Sequence, residues 1–338
     1  MSILRSLSAA TLLAAATIPA QAADFYQGKT IRITSAGAQD GSYTLYARLL
    51  SAVMPKYIPG SPTIIVESMP SGNGVVAANH VYNVAPKDGT SIGLFTRDTL
   101  LLPILGNDLA KFRSEKYQWL GTPDSYATNA YTILIRSALP YQTLSDTRTA
   151  EKPIALGGQG NYYVTMSRDV LGGKVNVIEG YRGGNEIRLA LERGEIDGMG
   201  SGYTSIAQQN AKWVADKFVR FIVQFGHAKR LPELPDVPTG RELAKTPEDA
   251  ELIKFFELGL TLGSPFAMPP ETPADRVEII RKAFASTMTD PDFVASVKKA
   301  GLDLSPRLGM DLGKDLEEAA KVTPAVLERA RKITGESK

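Results

Sequence analysis

Polar and aromatic side chains recur beside glycines at the ends of predicted strands in this chain. Hydroxyls, amides and two arginines, without a base or nucleophile beside them, favour recognition of a small carboxylate over its conversion. The two arginines are the strongest candidates for a ligand contact, because a guanidinium binds a carboxylate through two parallel hydrogen bonds. Each tyrosine could equally be a packing residue, and each arginine a solvated one. The candidate ligand-binding residues are Gly41, Ser42, Tyr43, Thr44, Thr96, Arg97, Asp98, Gly158, Gln159, Gly160, Asn161, Tyr162, Tyr181, Arg182, Ser201 and Tyr203.

Catalytic motifs are matched only in part. The glycine loop at residues 37–42 lacks the lysine of a phosphate loop, and residues 158–160 lack the third glycine of a dinucleotide site. Ser91 lies in a G-x-S-x-G pattern, but a turn precedes it and a strand follows, whereas a nucleophile elbow needs a strand before and a helix after. A serine hydrolase therefore remains a remote alternative.

The sequence offers few residues for a metal site or for acid–base catalysis. With 2 histidines and 0 cysteines, the chain has no HExxH spacing and no thiolate ligands, so neither a metal nor a cofactor is predicted. Asp98 and Asp197 both lie near predicted strand ends. They could act as an acid–base pair, although a polar cap or a ligand contact is the favoured interpretation.

Strands alternating with helices must position these residues. The stretch at residues 31–53 predicts a strand, a glycine loop and a helix, and residues 153–171 repeat that arrangement. This alternation predicts an α/β fold with mainly parallel sheets, in which ligands bind at the carboxyl ends of the strands. Residues 255–262 form an apolar run that predicts a further strand, and later helical spacing predicts helices that cover the first lobe.

Size and composition narrow the class of protein. Residues 1–22, with one cation, an apolar stretch and a small-x-small ending, predict a secretory signal peptide cut near Ala22. The remaining length exceeds the ~250 to 300 residues at which a single core stops growing, so two lobes are expected. A net charge of +2 without a basic block excludes a nucleic-acid partner.

Several short motifs, in their order and spacing, resemble the periplasmic solute receptors of tripartite tricarboxylate transporters, also called Bug receptors. The resemblance extends over nearly the whole mature chain. The matching segments are Val84-Ala-Pro-Lys-Asp-Gly89, Tyr181-Arg-Gly-Gly184, Leu234-Pro-Asp-Val-Pro-Thr239 and Thr272-Pro-Ala-Asp-Arg276.

The resemblance implies a two-lobed Venus-flytrap fold, with lobe 1 at residues 23–127 plus 240–338 and lobe 2 at residues 128–239. It implies a monomeric periplasmic receptor without enzymatic activity. Such a receptor clamps a small organic acid between a first-lobe loop at residues 41–44 and a second-lobe loop at residues 158–162, and delivers it to transporter membrane subunits. A ligand sensor that signals to a membrane protein is the alternative.

Two positions depart from the family pattern. Thr44 stands where the family's first loop has an aspartate, which disfavours an ammonium group on the ligand unless Asp40 substitutes. Met69 replaces an arginine that often precedes the proline of the second strand's loop.

Overall fold

A computed structural model describes residues 25–158, 162–181 and 184–336, which form two β-sheets flanked by helices. The first sheet contains β1 (Thr30–Ser35), β2 (Thr63–Ser68), β3 (Ser91–Leu94), β4 (Gln118–Thr122), β10 (Phe266–Met268) and β11 (Arg307–Leu308). The second sheet contains β5 (Tyr131–Arg136), β6 (Ile154–Gly157), β7 (Val175–Ile178), β8 (Gly198–Gly202) and β9 (Val219–Phe225). We call the two sheets with their helices the first and second lobes.

The strands of both sheets run mainly in one direction. In the first sheet, ordered β11-β4-β10-β3-β1-β2, β1 is parallel to β2 and β3, while β10 and β11 are antiparallel to their neighbours. In the second, ordered β7-β6-β8-β5-β9, β6 is parallel to β7 and β8, and only β5 runs against its neighbours. The carboxyl ends of the parallel strands therefore meet at one edge of each sheet.

The helices connect and cover these strands. In chain order they are α1 (Ser42–Val53), α2 (Val75–Asn83), α3 (Leu102–Leu105), α4 (Tyr162–Asp169), α5 (Gly184–Arg193), α6 (Tyr203–Gln209), α7 (Ala211–Ala215), α8 (Gly240–Leu243), α9 (Pro247–Leu262), α10 (Ala274–Met288), α11 (Pro291–Lys299), α12 (Gly309–Ala319) and α13 (Pro324–Thr334). Among the described residues, no helix has the length and apolar character that a bilayer span requires.

The C-terminal helices divide between two cores. Phe284 of α10 and Phe293 of α11 are fully buried with Ile33 and Leu50 of the first lobe. Val326 and Ala330 of α13 instead belong to a cluster that contains the second-lobe strands. The expectation that these helices cover the first lobe therefore holds for α10 and α11 but not for α13.

The apolar run at residues 255–262 is helical, so the prediction of a strand there is wrong. Thr246 and Asp249 form a capping box with Pro247 at the first turn, which starts α9 early. The helix buries Leu252 and Phe256 against the second-lobe core and Leu262 against a cluster in the first lobe. A helix buried on most sides is apolar throughout, and periodicity does not then distinguish it from a buried strand.

The chain crosses between the lobes twice. It passes from β4 to β5 through residues 123–130, and it returns through α9 and Gly263. The two crossings touch: Ser264 N donates to Asp124 Oδ1 at 2.7 Å, and a Cβ added to Gly263 would lie 1.7 Å from the Asp124 carbonyl oxygen. The lobe boundaries at residues 127/128 and 239/240 remain a prediction. The first of them lies within the observed crossing at residues 123–130.

Candidate functional site

Three loops converge at the carboxyl ends of the first-lobe strands. A Cβ added to Gly74, in the loop after β2, would lie 3.1 Å from Ala36 Cβ, after β1, and 3.0 Å from Thr96 Oγ1, after β3. The Thr96 hydroxyl is itself hydrogen-bonded to the Thr99 hydroxyl. The parallel arrangement of β1, β2 and β3 thus brings the predicted residues at 41–44 and 96–98 to one edge.

The loop before α1 is held by its own side chains. The buried Thr44 hydroxyl is hydrogen-bonded to Ser35 Oγ at 2.9 Å and donates to the Gly37 carbonyl at 3.2 Å. Ser68, at the end of β2, donates to the same carbonyl at 2.7 Å. Gly41 is the N-cap of α1, and Ser42 is exposed in its first turn. The described contacts of Thr44 therefore fix the shape of the loop.

Arg97 lies where these loops meet. Its Nε donates to the hydroxyl of Tyr43 at 3.2 Å, and its guanidinium carbon lies 5.2 Å from the centre of the Tyr126 ring. Both neighbours are neutral, so the positive charge is held in place by a hydroxyl and a π face. This arrangement presents a cation at the edge of the first sheet.

Two buried carboxylates lie near Arg97. Burial raises the pKa of Asp124 to about 6, against the opposing effects of Arg97 and of hydrogen bonds from Ser264 and Thr122. Burial also raises the pKa of Asp98, and Arg97 again opposes that shift. Both carboxyls therefore keep a proton up to a higher pH than ordinary aspartates do.

Asp98 lies against α9, the helix of the second crossing. Its Oδ1 lies 3.3 Å from the position that a Cβ of Gly259 would occupy in α9. Tyr163 of α4 donates to the Phe256 carbonyl at 2.7 Å in the same region. Burial, together with the charges of Asp98 and Glu336, raises the pKa of Tyr162 to about 12. The start of α4 thus faces the loop that carries Arg97 and Asp98.

The other predicted second-lobe residues are less clearly gathered. Gln159, Gly160, Asn161 and Arg182 lie outside the described residues, while Gly158 is buried and donates its N–H to Ile178 at 2.9 Å. Tyr181 packs on the Ile187 cluster. The Ser201 carbonyl accepts from Thr132 at 2.9 Å, and the ring of Tyr203 packs edge-on against Phe221 at 5.5 Å. The described contacts of the last three are internal to the second lobe.

The structure does not support the two catalytic alternatives. Asp197 is bound to Arg136 at 3.1 Å and accepts from the Ala155 N–H at 2.9 Å, so it does not pair with Asp98, and the acid–base interpretation is wrong. Ser91 is buried within β3 and lies opposite Arg32 of β1, which is a sheet position and not a nucleophile elbow. Among the described residues, no group of three potential metal ligands is present.

Sequence reasoning missed Asp124 and Tyr126, which lie in the first crossing between the lobes. Both surround Arg97, yet neither follows a predicted strand–loop–helix motif. The crossing itself was the available signal, because the predicted lobe boundary falls at residues 127/128 and a segment that joins two lobes must lie beside the cleft between them.

A cavity of about 720 Å³ borders the first crossing, where Ser125 and Ala127 line it. Its other walls come from the loop after β9, from α8, α9 and β11, and from the end of α12 with the turn that follows, whereas the Arg97 loops follow β1, β2 and β3, on the other side of β10 in the first sheet. We call it the rear cavity. The residues that line it include His227, Arg241, Glu257, Arg307, Asp315, Glu318 and Lys321. None of the predicted site residues lines it.

Comparisons with known proteins agree with this architecture. A model of the tripartite tricarboxylate transporter family receptors matches residues 47–329, which is most of the chain. A UPF0065 protein of Bordetella bronchiseptica is 27% identical over 135 residues, a match that spans 40% of this chain and 39% of that relative.

Two solved structures share the fold. A TctC solute-binding protein from Polaromonas, without ligand, superposes with a TM-score of 0.67 at 17% identity, over 92% of this chain and 100% of the other. MatC of Rhodopseudomonas palustris with bound malate gives a TM-score of 0.58 at 19% identity, over 90% of this chain and 99% of the other. The predicted two-lobed fold, with a mainly parallel sheet in each lobe, is confirmed.

Proposed function

The chain belongs to the tripartite tricarboxylate transporter family of receptors, and we propose on that basis that it captures a small organic acid between its lobes and delivers it to transporter membrane subunits. No covalent chemistry is part of this function. The bound malate of a structural relative supports an acid as the ligand class. A chain 19% identical to that relative could hold a different acid, so the proposal names the carboxylate group and not one compound.

The placement of Arg97 carries the proposal. Its guanidinium lies at the edge of the first sheet, bracketed by Tyr43 and Tyr126. Its charge also opposes the rise that burial causes in the pKa of Tyr163, in α4 of the second lobe. A carboxylate can form charge-assisted hydrogen bonds with such a guanidinium, and these are stronger than hydrogen bonds between neutral groups. Tyr162 and the preceding loop at residues 158–161 would contact the ligand from the second lobe.

Closure follows from this two-sided contact. A ligand that touches both lobes binds more tightly to the closed form than to the open form, and that difference shifts the population toward closure. The closed receptor is then the form presented to the membrane subunits. Thr44, whose hydroxyl is bonded within its own loop, would shape the first-lobe wall and thereby act on the ligand indirectly.

We propose that the receptor acts in the periplasm as a monomer, after removal of the leader near Ala22. The receptor family is periplasmic, which supports export. N-terminal sequencing of protein recovered from the periplasm tests the cleavage site, and a sequence beginning at Ala23 is expected. A protein that retains Met1 and stays in the cytoplasm would contradict export.

A thermal-shift screen of mono-, di- and tricarboxylates, followed by calorimetry, tests the function. An acid at 100 times its dissociation constant should raise the free energy of unfolding by about 2.7 kcal/mol. Arg97→Gln should weaken binding of the best acid about 10- to 100-fold, since a hydrogen bond to a charged group contributes about 1.5 to 3 kcal/mol.

Arg113→Gln is the matched control, because Arg113 is exposed and paired with Glu115 at 2.6 Å. It should leave the affinity unchanged. If only neutral or cationic solutes shift the melting curve, the carboxylate assignment is wrong. If acids bind equally well to Arg97→Gln and wild type, a different residue holds the carboxylate.

A further inference from the structure

Tyr126 adopts an unusual backbone conformation in the first crossing between the lobes. Four non-glycine residues among those described have positive φ: Ser61, Tyr126, Lys217 and Glu271. Three of them are exposed, whereas Tyr126, with φ of 52°, is 9% exposed. A bulky residue in the left-handed region costs about 1 to 2 kcal/mol, so the surrounding structure must compensate.

The residues on either side of Tyr126 are fixed to different lobes. Ser125 N and Oγ both donate to the Ser305 carbonyl, at 2.9 and 2.6 Å, in the first lobe. Asn129 accepts the Thr204 N–H at 3.0 Å through its side chain, in the second lobe. The backbone between these anchors, which begins with Tyr126, must therefore absorb any rotation of one lobe against the other.

The side chain of Tyr126 spans the same junction. Its ring lies below the Arg97 guanidinium of the first lobe, at 5.2 Å. Its hydroxyl lies against Gly202 at the end of β8, where an added Cβ would come within 2.8 Å of the oxygen. A rigid ring on a hinge keeps both contacts in only one arrangement of the lobes.

We propose that Tyr126 is a positioning residue that couples the carboxylate contact at Arg97 to closure of the lobes. The proposal rests on the proposed function, since Arg97 is there the ligand's partner. In the arrangement of lobes seen here the ring supports Arg97 from below while the hydroxyl meets the second lobe. Occupation of Arg97 by an acid and closure of the cleft then favour the same position of Tyr126.

Distance measurements between the lobes test this coupling without a known ligand. The chain contains 0 cysteines, so spin labels can be placed on single introduced cysteines at the exposed Arg48 and Arg193, one in each lobe. Tyr126→Asn removes the ring but tolerates the left-handed backbone. In the ligand-free protein it should lower the population of the lobe arrangement described here, relative to other arrangements, about 3- to 10-fold. This is the effect expected from the loss of one partly buried cation–π contact.

Three further variants make the result specific. Lys217→Asn, at φ of 51° but exposed, is the matched backbone control and should leave the distances unchanged. Gly202→Ala forces the tyrosine hydroxyl aside without altering Arg97, so it should shift the distances as Tyr126→Asn does. Tyr126→Phe retains the ring below Arg97 but lacks the hydroxyl that lies against Gly202, so it should shift the distances in the same direction as Gly202→Ala.

The outcomes separate this proposal from the proposed function. Unchanged distances in both Tyr126→Asn and Gly202→Ala would overturn the coupling, even if acids bind. Failure of malate and other acids to bind wild type would overturn the function, while the ligand-free distances would still decide the hinge role of Tyr126.

Discussion

The cleft at Arg97 and the rear cavity both adjoin the crossings, and both are lined by charged groups. In the cleft, the arginine meets a tyrosine hydroxyl and a tyrosine ring. In the rear cavity, three cations meet carboxylates: Arg241 binds Glu257 at 2.5 Å, Arg307 binds Asp315 at 2.7 Å, and Lys321 binds Glu318 at 2.5 Å. Lys254 also lines this cavity.

This difference indicates which side suits an anionic ligand. A cation that is already paired offers little to an incoming carboxylate, because the existing partner must first be displaced and resolvated. The described contacts of the Arg97 guanidinium are a tyrosine hydroxyl and a tyrosine ring, and the nearby Asp124 carboxyl has a raised pKa, so the charge of Arg97 stays more available than that of a directly paired cation. The rear cavity is therefore the weaker candidate, and the comparison makes separate predictions for the cleft, for the rear cavity and for the hinge.

The largest expected effect lies at the contact between the crossings. Gly263 has φ of 59°, and a Cβ there would lie 1.7 Å from the Asp124 carbonyl and 2.7 Å from Thr122 Oγ1. Gly263→Ala should lower the free energy of unfolding by more than about 4 kcal/mol, through backbone strain and a clash with backbone atoms. Urea denaturation measures this loss.

Gly335→Ala is the matched control for that variant. Gly335 also has positive φ, of 74°, but has no atom within 4 Å of an added Cβ. Gly335→Ala should lower the free energy of unfolding by about 1 kcal/mol, from the backbone conformation alone. Equal costs at the two glycines would show that the crossings are not in close contact.

The next effect separates the rear cavity from the cleft. Arg241→Gln leaves the Glu257 side chain, which is 1% exposed, without its ionic partner. The free energy of unfolding should fall by about 3 kcal/mol, because an uncompensated buried charge is costly. Acid affinity should change less than twofold, since the cleft is untouched. Denaturation and calorimetry on the same protein provide both values.

An exposed ion pair supplies the control for Arg241. Arg230 binds Glu242 at 3.0 Å, with side chains 40% and 42% exposed. Arg230→Gln should cost less than about 1 kcal/mol. A strong loss of acid affinity in Arg241→Gln would place the ligand in the rear cavity and reverse the comparison.

The sequence predicted the architecture better than the site. Strands β1, β6 and β7 followed from short apolar runs ended by glycine loops, because sheet position and turn chemistry are local properties. Helix α9 was mistaken for a strand, since it is buried by two lobes at once. Its capping box at Thr246 and Asp249 was the local sign that could have corrected the assignment.

The site depends on contacts between residues distant in sequence. Tyr126 meets Arg97 of one lobe and Gly202 of the other, and no local pattern reports such a junction. Thr44 shows that the contacts of a side chain stay hidden even where its loop is predicted from the sequence. The sequence placed it in the loop before α1, but only the structure shows that its hydroxyl is bonded to Ser35 and Gly37.

The smallest predicted effect concerns the pKa of Asp124. Its carboxyl is buried, and its pKa is raised from 3.8 to about 6. Between these two values the folded protein binds a proton that the unfolded chain does not, so this group makes folding more favourable as pH falls through 6. From pH 7 to pH 5 the contribution should amount to about 1 kcal/mol in the free energy of unfolding.

Asp124→Asn should abolish that gain, and the difference between variant and wild type isolates it from the other carboxylates that titrate in the same range. The amide retains the acceptor for Ser264 N at 2.7 Å, so the hinge contact survives. A neutral residue 124 also leaves the charge of Arg97 less compensated. Affinity for an acid with pKa below 5 should therefore rise in wild type between pH 7 and 5.5, and should be high and nearly constant in Asp124→Asn. Parallel pH profiles for the two proteins would instead mean that Asp124 does not influence the cleft.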